Sequence, residues 1–147
     1  MKTWFKTIFI PTICILLGGI FIVAIAWMIY LGIYLSLEAL FYPTNPQAVP
    51  ADYIRIVCAV LFILSYLFIL RSHASQTMKA MIFVGPLTTL VITLILSFYT
   101  HLILVSILLA VMVILILGLI RHYKRGWVFY LATLYSLLLG VAYALPW

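Results

Sequence analysis

Charge is what this sequence has least of. Its 147 residues hold two acidic side chains, Glu38 and Asp52, against eight lysines and arginines, so charged residues make up 7% of the chain. A soluble domain carries about a quarter, and so few charges cannot solvate the surface of a water-soluble fold. Cysteine is almost as scarce. Cys14 and Cys58 form no CxxC pair and share no metal-ligand spacing, which leaves both as small packing residues. On the topology below they fall in opposite leaflets, beyond the Cα separation of about 4.4 to 6.8 Å that a disulfide allows. HExxH and GxSxG are missing as well, and no Asp, Glu, Lys or Arg stands in the middle of an apolar run. Proton relays and ion pathways place an ionisable group at that depth. No basic run interleaves with aromatics as a nucleic-acid surface requires.

What the chain has in abundance is apolar residues, 69% of the total. They form runs that can each cross a bilayer core of about 30 Å, for which about 20 residues are needed. An all-α integral membrane protein is expected, a single helical domain over 1–147 with five transmembrane helices. The spans fall at residues 12–37, 53–70, 80–97, 102–120 and 127–145. Merging the third and fourth runs would make one helix of roughly 60 Å, which no bilayer matches, so Phe98 to His101 must turn the chain. Lys2, Trp4, Phe5 and Lys6 ahead of Pro11 suggest a short interfacial segment that becomes a span at the proline. A basic start and Ala24-Ile25-Ala26 resemble a cleaved signal peptide, but the apolar run continues to Leu37, which favours a retained span. That first span is longer than the bilayer core, so it should tilt, kink near Gly18-Gly19 or project outward. Gly85-Pro86 should kink the third.

Charge tests the span count independently. With five spans, Lys2, Lys6, Arg71, Lys79, Arg121, Lys124 and Arg125 share one side, while Glu38, Asp52 and the lone base Arg55 occupy the other. The positive-inside rule then puts the N-terminus in the cytoplasm and the C-terminus outside. Tyr42, Tyr53, Tyr99 and Trp147 on the outer side, and Trp4, Tyr123 and Trp127 on the inner, suit the interfacial aromatic belts.

Small residues recur at every fourth position in two spans: Gly85, Thr89, Thr93 and Ser97 in the third, Ala132, Ser136, Gly140 and Ala144 in the fifth. Lipid gives helices no hydrophobic reason to associate, so close backbone approach along such rows is a main source of packing. Both rows are expected to face other helices. Weaker rows appear at Ala24, Gly32 and Ser36, and at Ser106, Ala110 and Gly118. Thr88, Thr89 and Thr93 are expected to donate to carbonyls one turn back, leaving no hydroxyl unpaired.

The stretch from Glu38 to Arg55 interrupts the oil, with three of the six prolines: Pro43, Pro46 and Pro50. Glu38, Asp52, Arg55 and His101 form the candidate outer polar site. Glu38 ends a helix whose dipole repels an anion, so a structural pairing of Arg55 with Glu38 or Asp52 is the first expectation. A sharper one makes this a polar pocket in which Arg55 binds an anionic head group while the two carboxylates and His101 serve as acid, base or metal ligands. Arg121, His122, Lys124 and Arg125 form an inner cluster suited to anionic lipid phosphates or an acidic partner. No catalytic residue, metal site or cofactor is expected.

Three functions follow from these residues. The leading expectation is a non-enzymatic accessory or scaffold subunit of a larger membrane complex. Its partners would be membrane lipids and another membrane protein, or further copies of itself, in the cytoplasmic membrane of a bacterium. A small transporter or lipid-binding carrier with an outward-facing polar pocket is the second. A membrane enzyme acting on a lipid-linked substrate is the third, and it requires Glu38, Asp52 and His101 to converge.

Overall fold

A computed structural model describes residues 5–42 and 49–144. Lys2, Trp4, Pro43, Pro46, Leu145 and Trp147 lie outside the described residues. A short π-helical turn, Phe5–Phe9, leads into α1, Ile10–Phe41. It is followed by α2 (Ala51–Arg71), α3 (Gln76–Ser97), α4 (Leu102–His122) and α5 (Trp127–Ala144). All five are long and apolar enough to cross a membrane. Across Pro11 the chain stays helical, with Phe9 itself in helical geometry, so no turn sets the described part of the expected interfacial segment apart from the span. Pro11 falls within the first two positions of α1, where its fixed φ suits the helix.

The third span is the hub. Its most extensive contacts are with α5, then α1, then α2, whereas α4 touches the rest only sparingly. The reason lies in side-chain size. Ala132, Ser136, Gly140 and Ala144 are all buried, and they bring the α5 backbone against Val84, Thr88 and Val91 of α3. The Ser136 hydroxyl donates to the Val84 carbonyl across the interface at 3.4 Å and to Ala132 one turn back at 2.7 Å. The Tyr135 hydroxyl reaches the Leu16 carbonyl of α1 at 3.0 Å. The row in α3 faces elsewhere: a Cβ on Gly85 would lie 2.5 Å from Ile22 Cγ2 of α1, and Ser97 is exposed. Gly85, Thr89 and Thr93 therefore turn toward α1 and α2 while the opposite side of α3 receives α5. The weaker rows in α1 and α4 are exposed throughout.

Two apolar clusters result. Toward the basic end, Ile15, Val84, Ile120, Phe129 and Ala132 pack together. Toward the acidic end, Val49, Ile54 and Cys58 pack against Tyr34, Leu37 and Phe62.

One of the three threonine hydroxyls departs from expectation. Thr89 donates to Pro86 and Thr93 to Thr89, at 2.9 and 2.7 Å, but the fully buried Thr88 Oγ1 finds no partner among the described residues. Its carbonyl one turn back belongs to Val84, which instead accepts from Ser136. A buried hydroxyl left unpaired costs about 1–3 kcal/mol. Thr88→Val, which keeps the shape and removes the hydroxyl, should raise resistance to denaturant in micelles by about 1 kcal/mol. An unfolding curve followed by circular dichroism reads this directly.

Candidate functional site

Arg55 stands one turn into α2, three residues after Asp52 in the first turn. That spacing puts both side chains on one helix face, and the Arg55 Nη2 donates to Asp52 Oδ1. The Asp52 side chain is 70% exposed and that of Arg55 20%. A water-exposed pair of this kind contributes a few tenths of a kcal/mol, and it engages only one part of a guanidinium that carries five N–H donors. The Arg55 Nε is buried and meets no acceptor among the described residues. A buried charged donor in that state is among the groups with most to gain from an added acceptor.

Arg55 also lines a cavity of about 330 Å³ between α1, α2 and α3, with Tyr143 of α5 at its edge. Arg55 is the one charged residue on the wall; the rest is apolar, aromatic or threonine. Trp27 sits edge-to-face with Tyr30 and Tyr143, with ring centroids 6.1 and 5.6 Å apart. The two threonines on the α3 wall, Thr89 and Thr93, spend their hydroxyls on their own helix. Leu96 and Tyr143, both exposed, mark the open side. On the α3 wall Thr89 and Thr93 alternate with Ile92 and Leu96, across from Trp27, Tyr30 and Phe62 of α1 and α2.

No family model, curated protein or solved structure matches this chain.

Of the expected outer site, Asp52 alone meets Arg55 among the described residues; Glu38 and His101 are not gathered here. Glu38 is half-buried near the end of α1, where its backbone carbonyl accepts from Tyr42. Among the described residues the single ion pair is that of Asp52 with Arg55. His101 is exposed ahead of α4, its N–H bonded to the Phe98 carbonyl at 2.8 Å. Glu38, Asp52 and His101 all lie off the cavity wall. Among the described residues no three His, Cys, Asp or Glu side chains are grouped to hold a metal.

At the basic end, Arg121, His122 and Lys124 are exposed, and Arg125 lies over the Phe129 ring at 5.7 Å. Lys124 has φ 48°. Its N–H bonds to Arg121 and that of Arg125 to Ile120, the paired reverse bonds that close a helix around a left-handed residue. This fixes where the basic cluster leaves α4.

Two contributors were not singled out from the sequence. Trp27 stands in the interior of a span rather than at an interface, where tryptophan is enriched, and that position was the available signal. Lys79 is buried, and its Nζ donates to the carbonyls of Leu70 and Ser72 at 2.9 and 2.6 Å. It thereby closes the end of α2, which sequence spacing alone does not reveal.

Proposed function

We propose that this protein is a non-enzymatic lipid-binding membrane protein that holds an anionic amphiphile at Arg55, with the acidic end of the bundle facing outward. The observation that carries this reading is a half-buried guanidinium, its Nε buried and without a partner among the described residues, at the head of an otherwise apolar, aromatic cavity. Such a wall takes an alkyl chain, and Arg55 takes a phosphate or carboxylate through its fork of donors. The charge partition supports a cytoplasmic N-terminus and residence in the cytoplasmic membrane of a bacterium.

The test is isothermal titration of the protein, in neutral detergent, with hexadecyl phosphate and with hexadecanol. Saturable binding of one hexadecyl phosphate per chain is expected, with hexadecanol binding far more weakly. Loss of charge-assisted bonds is worth about 1.5–3 kcal/mol, so Arg55→Gln should weaken hexadecyl phosphate binding about 10- to 100-fold. Equal binding by the wild type and Arg55→Gln would contradict the assignment.

A second reading, an accessory or scaffold subunit, is favoured by α4. This helix packs little against the bundle and exposes Ile103, Ile107, Ile114 and Leu115. Native mass spectrometry after mild solubilisation separates the alternatives: a stoichiometric complex supports the subunit reading, and a lone monomer contradicts it.

A further inference from the structure

The cavity beneath Arg55 has a neighbour further along the bundle. A second cavity, of about 160 Å³, lies between the same three helices toward the basic end, walled by Ile22, Ser65, Ile69 and Gly85. Both cavities are lined by Ala26 and Phe62. Joined past Ala26 and Phe62, they would form one groove floored by α3. The lower chamber has no charged residue on its wall, and the Ser65 hydroxyl is committed to the Leu61 carbonyl at 2.8 Å. Charge is confined to the Arg55 end.

Length then selects the ligand. From Arg55 to Ile69 the groove follows α2 for about 21 Å at 1.5 Å per residue, whereas half of a bilayer core is about 15 Å. A groove that passes the midplane suits a chain longer than one leaflet. Its width suits a single chain, because the chambers lie at or below the small end of ordinary ligand pockets, about 300–1,000 Å³. We infer that the ligand is an anionic amphiphile with one long chain, its head group on Arg55 and its tail threaded past Ala26 and Phe62 into the chamber at Ile69. This rests on the amphiphile reading above and adds the course and number of the chains.

The test uses the full chain in neutral detergent and hexadecyl phosphate dibrominated either near the head group or near the chain terminus, since bromine quenches tryptophan on contact. One reporter retains Trp27 alone, through Trp4→Phe, Trp127→Phe and Trp147→Phe. The other adds Trp27→Phe and Ile69→Trp, with Ile22→Trp on the opposite wall as the substitute reporter if that variant fails to fold. Head-group bromine should quench Trp27 saturably, and terminal bromine should quench the lower reporter with the same midpoint. Arg55→Gln should abolish both responses at that concentration, and brominated hexadecanol should reproduce neither. Quenching of Trp27 without Arg55-dependent quenching of the lower reporter would overturn the threading and leave the amphiphile reading standing. A two-chain phosphatidylglycerol that displaces the probe as well as unbrominated hexadecyl phosphate would overturn the single-chain assignment. No Arg55-dependent quenching at either position would overturn both readings.

Discussion

Gly140→Ala is expected to destabilise the bundle by about 2–3 kcal/mol, in the range of overpacking a close-packed interface. The added Cβ would lie 2.5 Å from Val91 Cγ1 and 2.7 Å from Val91 Cβ, with the Thr88 carbonyl oxygen at 3.5 Å. A β-carbon cannot swing aside as the tip of a long side chain can, so α3 and α5 must separate, and with them the contact that Ser136 makes to Val84. Gly32→Ala is the matched control: nothing lies within 4 Å of its Cβ position, and replacing a helical glycine should gain up to about 1 kcal/mol. Opposite signs for these two changes in an unfolding titration would tie the loss to the α3–α5 approach. Val91→Ala should recover part of the loss in the Gly140→Ala background, because residues in direct contact couple.

Lys79→Met should cost about 1.5–3 kcal/mol, the worth of hydrogen bonds from a charged donor. The ammonium, in the first turn of α3, donates to the carbonyls of Leu70 and Ser72, which end α2 without helical partners and carry the negative end of its dipole. Methionine fills the space but makes neither bond. Arg71→Met removes the same charge from an exposed position and should change stability by less than about 0.5 kcal/mol. A comparable loss in both variants would mean that overall charge, not the cap, is at work.

The number of spans was legible because each apolar run is separated by a polar or proline-containing break. Helix ends were less so. Hydropathy marks the stretch that matches lipid, while helical bonding continues into polar sequence, as at Gln76 to Lys79, where the Ser75 hydroxyl accepts from the Met78 N–H and starts α3 before the oil begins. The Asp52–Arg55 pair could be anticipated from a three-residue spacing within one helix. The cavity could not, because it depends on how closely α1 and α2 settle on α3. Thr89 and Thr93 carry the same small-residue signal whether they meet a helix or line a void, and Lys79 resembles a topology anchor until α2 folds back beside it. Glu38 and His101 drew notice as rare ionisable groups, and rarity in a sequence carries no information about convergence in space.

The ligand proposed for Arg55 and the cavity beneath it is an anionic amphiphile. The most direct test is native mass spectrometry of the protein released from micelles after purification from membranes, with Arg55→Gln prepared in parallel. A single adduct retained on the wild type, whose fragmentation yields one anionic head group, is expected, together with its loss from Arg55→Gln. Identical spectra from the two proteins, whether both bare or both carrying the same adduct, would contradict it.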